Sequence, residues 1–414
     1  MENQIKTNIH DAHALELLYR KDKTIFTNAF NSIYEDIKAT PAGQAWHARL
    51  QYKQEDLVWG QKNEIKFIIL IAILSGFIAK LPAFIGMEYD VYLSRNISFV
   101  ILPMLIVYFG WKQKTSLNKY ILPVLVLIGA ALYINFLPYN DKSDTILLAT
   151  LHLPLFLWML LGYAFVGGDI NNNIKRVEYL KFNGNFVVMT GLIFISGAIF
   201  SGITIALFEL LKIDISKFYF EQIAIWGLAG VPMLSTFLVQ NNPQLVNKIS
   251  PIIAKLFTPL VSMTLLVFLC TLIYTGKNVY NDRNFLLLFN VLLIAVMAII
   301  LFSVTTIRYE STSKIQLILL ITLSLLTIVA NAVALSAIGF RLLEFGLTPN
   351  RLGVLGTNLL MFIHLFLVSA ALLKNLKGKI ATSEIEKEIA KFIPFYAAWA
   401  AFVVFVMPFI FNFI

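Results

Sequence analysis

From residue 66 to its end, the chain is a succession of apolar runs, most of them about as long as the roughly 20 residues a helix needs to cross a bilayer. They cover 66–86, 96–111, 120–137, 145–167, 185–211, 222–240, 251–276, 284–307, 315–340, 352–373 and 392–414. Continuous runs of this kind point to one fold class, an all-α polytopic transmembrane helix bundle of about eleven spans. A membrane β-barrel would instead alternate polar and apolar residues in short segments. Only 14% of the residues are charged and 58% are hydrophobic, whereas soluble proteins average about 25% charged. Two units are expected: a cytoplasmic amphipathic helical segment at 1–65 and a transmembrane domain at 66–414.

In the N-terminal segment, Phe26, Phe30, Ile33 and Ile37 recur at helical spacing between charged residues. Pro41, Ala42 and Gly43 break that helix, and a second polar helix is expected through Trp46, Leu50, Leu57 and Trp59. A segment this short is expected to pack on the cytoplasmic face or in the interface rather than to build its own core. Its polar start, MENQIKTNIHDAHALELLYRK, lacks a signal-peptide pattern, so the first span is expected to target the protein.

Orientation comes from the basic residues. The net charge of +9 is spread over many loops, which fits positive-inside topology and not nucleic-acid binding. With the N-terminus inside, Lys112, Lys114, Lys119, Lys175, Arg176, Lys181 and the five lysines of 374–391 are cytoplasmic. Arg95, Lys142, Arg341, Arg351 and the C-terminus are then external.

The chain offers little soluble chemistry. Cys270 is the single cysteine, so neither an intramolecular disulfide nor a cysteine-based metal site can be built. The five histidines form no ligand cluster, and no hydrolase, zinc-protease or phosphate-loop motif is present. An enzyme is not favoured, and no cofactor or metal is expected. Polar groups inside the spans carry more information, because ionisable groups in a bilayer are costly and usually functional. His364 lies mid-way along the tenth span, Asn331 in the ninth, Asn358 in the tenth and Asn290 in the eighth. The asparagines read either as interhelical hydrogen-bond glue or as ligand contacts, and His364 as glue or proton relay. Gly227, Gly230 and Pro232 mark the sixth span as a broken or kinked helix.

Between the ninth and tenth spans lies a compact polar break, Arg341-Leu-Leu-Glu344-Phe-Gly346-Leu-Thr348-Pro349-Asn350-Arg351. Gly346 is a natural helix stop, and Thr348 with Pro349 reads as an N-cap followed by the first helical position. Arg341 and Glu344 are three apart and are expected to pair. Arg351 falls in a first helical turn, where the macrodipole disfavours a cation. It is therefore expected to join Arg341 and Glu344 in one charge cluster with room for a phosphate or carboxylate; the alternative is a hairpin with snorkelling arginines.

This turn resembles the Arg-x-x-x-Tyr-Gly-x-Thr-x-x-Arg signature of the bacterial family called domain of unknown function 4153, with Phe345 in place of the tyrosine. Leu15 to Phe30, Trp46 to Leu50 and Arg95-Asn96-Ile97 are similar to its Bacteroidota members. The resemblance implies a multi-pass protein of the bacterial cytoplasmic membrane and supplies no reaction, substrate or cofactor. Three functions stay open: a transporter- or flippase-like protein; a non-enzymatic regulatory or assembly protein that docks a partner through its basic loops; and a membrane-embedded transferase on lipid-linked substrates. The binding residues to expect are Arg341, Glu344, Arg351, His364, Asn331 and Asn358. The partners to expect are membrane lipids, an anionic small molecule or lipid headgroup, and a cytoplasmic protein.

The orientation is directly testable. In a Cys270→Ser background, a cysteine introduced as Ile380→Cys should be protected from an impermeant thiol reagent in intact cells and labelled after lysis. Labelling without lysis would invert the topology.

Overall fold

The computed structural model describes residues 1–51, 60–138, 140, 142–210, 213–275, 280, 283–306 and 314–414; within its helices, side chains are not described at 23–24, 51, 206–207, 210, 243–256, 283–285, 287–288 and 306. The chain divides into two compact units, Met1–Trp59 and Gly60–Ile414. Leu57 and Trp59 lie outside the described residues.

The first unit contains α1 (Glu2–Thr7), α2 (Ala12–Lys21), α3 (Lys23–Ile37) and α4 (Pro41–Gln51). Contrary to the expectation from its length, it has a core of its own. The apolar stripe Phe26, Phe30, Ile33 and Ile37 is buried with Ile5, Leu15 and Trp46. Asp11 and Asp22 cap α2 and α3 by accepting from Ala14 N at 3.0 Å and Ile25 N at 2.9 Å. The Arg49 guanidinium lies 4.5 Å from the Trp46 ring and 5.1 Å from the Tyr19 ring, and pairs with Glu16 at 2.8 Å. Three aromatic or charged neighbours around one planar cation explain how so short a unit closes.

In the second unit follow α5 (Lys62–Ile85), α6 (Tyr89–Lys112), α7 (Asn118–Phe136), α8 (Asp144–Phe165) and α9 (Asn173–Leu210). A short α10 (Ser216–Phe218) runs through a stretch of π-helix, Tyr219–Ala224, into α11 (Ile225–Asn241). Then come α12 (Pro243–Thr275), α13 (Arg283–Thr306), α14 (Lys314–Phe345), α15 (Pro349–Leu376), α16 (Thr382–Lys391), α17 (Ile393–Phe405) and α18 (Met407–Ile410). Among the described residues there is no strand, and ten helices are long and apolar enough to span a membrane. The eighth expected span falls on α13, whose apolar stretch Phe289–Thr305 is shorter than those ten.

Several boundaries differ from the sequence reading. The polar segment expected as a loop from 167 to 185 is mostly the start of α9, a 38-residue helix. Its charged residues Lys175, Arg176, Glu178 and Lys181 are interspersed with buried Val177, Tyr179 and Phe182, and Met189 continues the buried face. The sixth span is irregular, but at the π-helical stretch; α11 itself is helical across Gly227, Gly230 and Pro232. The last expected span, 392–414, ends at Phe405, after which Pro408 sits in the single turn of α18.

Two large apolar clusters organise the bundle. One joins residues of α5, α6, α8, α9 and α11 around Phe109, Phe182 and Met233. The other joins α12 to α16 around Leu293, Leu320 and Leu365. Between α15 and α17, the Trp399 ring lies so close to Gly356 that any Cβ there would overlap it. Trp399 Nε1 donates to Thr357 Oγ1 at 3.1 Å beside that contact.

The first unit should respond to acid. The hydrogen bond from Arg20, then that from Arg49, holds the Glu16 carboxyl below the usual carboxylate range. Its contribution is therefore fully present above the unfolded-state pKa of about 4.3 and lost as pH falls through the lower folded value. Hydrogen exchange of α2 to α4 in the intact protein, corrected for intrinsic rates, should rise between about pH 6 and about pH 3. Arg49→Ala should raise exchange already at the higher pH and flatten the response. Equal exchange in both proteins at both pH values would show that the pair contributes nothing.

Candidate functional site

Four helices meet along a polar seam inside the second apolar cluster and its edge. On α14, Ser324, Thr327 and Asn331 lie on one face at near-helical spacing, and all three are fully buried. On α15, Asn358 and Ser369 lie eleven residues apart, also on one face. The two helices run antiparallel, so the pairs match. Asn331 Nδ2 donates to Asn358 O at 3.1 Å, and Ser369 Oγ to Ser324 Oγ at 2.9 Å. Asn358 Nδ2 carries the chain on to Asn290 Oδ1 of α13 at 2.7 Å. The neighbouring face of α15 turns His364 toward α17. His364 Nδ1 lies 3.1 Å from Tyr396 Oη, and its ring stacks on Phe392 with centroids 4.5 Å apart.

The structure thus brings Asn331, Asn358 and Asn290 together, with His364 further along the same helix. Among the described residues, two atoms of the seam are buried without a hydrogen-bond partner: Asn331 Oδ1 and His364 Nε2. In a medium without water, each such atom costs on the order of 1–3 kcal/mol.

The turn between α14 and α15 is built differently from the expected cluster. α14 continues to Phe345, Gly346 takes the left-handed conformation at φ 76°, and Thr348 Oγ1 accepts from Arg351 N at 3.4 Å. The stop and the cap are where the residues place them. Arg351, however, turns back to the end of α14 and donates to Phe345 O at 2.7 Å and Gly346 O at 2.6 Å, with its guanidinium 5.5 Å from the Phe345 ring. Among the described residues Arg341 and Glu344 make no ion pair with each other or with Arg351, and Glu344 is exposed. The three charges share a turn without forming one cluster.

Other polar groups are held away from the seam and the turn. Glu64, at the start of α5, is 8% exposed and accepts three hydrogen bonds on Oε1: from Tyr108 Oη at 2.6 Å, Lys112 Nζ at 2.8 Å and Asn241 Nδ2 at 3.1 Å. These donors come from α6 and α11, so one carboxylate joins three helices. The signal was present as a lone acidic residue just inside a basic helix start, which reads as an ordinary first-turn carboxylate. Lys80 is buried and donates to Glu221 O in the π-helical stretch at 2.5 Å. Ser75 Oγ donates to Val100 O at 2.6 Å and lies 3.2 Å from Ala229 O, again linking α5, α6 and α11. His152 Nδ1 lies 2.9 Å from Leu148 O within its own helix. Among the described residues no group of three His, Cys, Asp or Glu side chains could hold a metal ion.

The Glu64 junction gives a stability prediction. Glu64→Leu would leave Lys112 and Tyr108 without their acceptor, and removing one partner of a buried ion pair costs about 3 kcal/mol at the low end. The lower end applies because the Lys112 side chain is 27% exposed. The melting temperature in detergent should fall clearly for Glu64→Leu and less for Glu64→Gln, which keeps an acceptor. Equal melting temperatures for all three proteins would remove the junction from the list of stabilising contacts.

No family model, curated protein or solved structure matches the chain.

Proposed function

We propose that this integral membrane protein is transporter- or flippase-like, resident in a bacterial cytoplasmic membrane, and that the polar seam of α13, α14, α15 and α17 handles the moving species. The observation that supports this reading is the pair of unpartnered buried atoms, Asn331 Oδ1 and His364 Nε2. A seam serving cohesion alone gains nothing from them, because each side chain already makes one interhelical bond and leaves its second polar atom unsatisfied. A proton or a hydrogen-bonding substrate passing along α15 would supply the missing partner. His364 adds an ionisable group at that depth, which by default marks a functional position.

A regulatory or assembly role is the second reading, and the capped N-terminal unit with its own core supports it. A transferase on lipid-linked substrates has less support, since Arg351 donates to backbone carbonyls and, among the described residues, no carboxylate pairs with it.

Purified protein in proteoliposomes should move protons, read by a trapped pH dye, or labelled phospholipid, read by dithionite quenching, faster than empty vesicles. Asn331→Leu should abolish that movement, and His364→Gln should shift its pH dependence while leaving the protein folded. Absence of both activities, or variants that change only the melting temperature, would leave the seam as packing and favour the second reading.

A further inference from the structure

A groove with a volume of ≈ 280 Å³ lies between the C-terminal half of α8 and the starts of α9 and α17. Its walls are apolar, with Phe156, Leu160, Ile393 and Ala397 among them, and the one charged lining residue is Arg176. The geometry points to a binding site for one acyl chain of an anionic glycerophospholipid, its phosphate held by Arg176.

The dimensions support this. Along α8 the groove runs from Phe156 to Val166, ten residues or about 15 Å of helix rise. That is half of the roughly 30 Å hydrocarbon core, the depth of one leaflet. The cation sits where such a chain would meet its headgroup, because α8 ends at Phe165, α9 begins at Asn173 and α17 begins at Ile393. On the other side, α8 presents Leu147, Leu151 and Leu155 as an exposed stripe at four-residue spacing, and Met159, the next in that series, lines the groove. The groove is therefore continuous with a surface that faces lipid.

The charge fits as well. Arg176 makes two contacts, both at the limit of hydrogen bonding: Nη1 lies 3.5 Å from Asn173 Oδ1 and 3.4 Å from Ala390 O. Among the described residues no carboxylate pairs with it, which leaves its second Nη and its Nε for a bidentate phosphate. Lys119 and Lys175 flank the same turn, donating to Gly167 O at 3.2 Å and Val166 O at 3.3 Å. Asp169 and Glu178 are the acidic residues nearby in sequence, both exposed, and neither reaches Arg176. A headgroup with a net negative charge is favoured here over a zwitterionic one. The site is separate from the seam, so a lipid held here would be present whether or not the protein transports anything.

The test is native mass spectrometry of the full-length protein titrated with phosphatidylglycerol and with phosphatidylcholine of identical acyl chains. Wild type should hold one equivalent of phosphatidylglycerol preferentially. Arg176→Gln should weaken that equivalent about tenfold, the scale of one charge-assisted contact, and Arg176→Lys should be intermediate. Ala397→Trp, which fills the groove, should weaken both lipids; Ala397→Leu serves if the larger residue prevents folding. Lys217→Gln, on α10, should change neither. Retained preference in Arg176→Gln, normal binding with the groove filled, or displacement of the lipid by glycerol 3-phosphate alone would overturn the assignment.

Discussion

The last carbonyls of a helix have no following residues to bond, and in or beside a membrane they cannot rely on water. This chain satisfies many of them with cations borrowed from another helix. Arg95 of α6 donates to Ile134 O, Leu137 O and Pro138 O at the end of α7, at 2.8–3.2 Å. Lys119 and Lys175 do the same for the end of α8, and Arg351 for the end of α14. Each cation also lies at the negative pole of the helix it caps. This accounts for Arg351, which stands at the wrong end of its own helix and at the right end of the preceding one. It also shows where the guanidinium turns: its Nη1 faces two carbonyl oxygens at the end of α14, and Glu344 is left exposed.

Within the bundle, apolar shape and polar bonding fix the same helix pair. Ala330, Ala334 and Ala337 on α14 are fully buried, Ala337 beside Leu286 of α13. On the face turned to α15, Asn331 reaches a backbone carbonyl, Asn358 O, and Ser324 meets Ser369. The same arrangement recurs at the other end of the chain, where Ser75 reaches carbonyls of two neighbouring helices and Glu64 gathers donors from both.

The spans, the N-terminal amphipathic stripe and the helix stop at Gly346 were legible because each depends on local chemistry: run length, spacing or a backbone preference. The start of α9 was not, since charged residues interrupt its apolar ones and only the spacing of Tyr179, Phe182 and Met189 marks it as helix. The π-helical stretch has no composition of its own, and the glycines and proline that drew attention to α11 lie just beyond it. Of the site residues, Asn331, Asn358 and His364 stood out as polar groups in apolar surroundings. Asn290 stood out in the same way, but its pairing with Asn358 and that of His364 with Tyr396 did not, because no local pattern encodes the packing order of these helices. Glu64 and Arg176 were hidden for the opposite reason: near a helix end, a charge looks ordinary until its neighbours are known.

The contact of Trp399 with Gly356 bears on how the seam is held. It keys α17 to α15 at one rotation and one separation, because a helix turned by a single residue would set a side chain against the indole. Tyr396 lies one turn before Trp399 on the same helix, and Phe392 one turn before that. With the helices keyed at the tryptophan, Tyr396 and Phe392 are set at the height of His364, so one glycine fixes the register of the histidine's hydrogen bond and of its ring stacking.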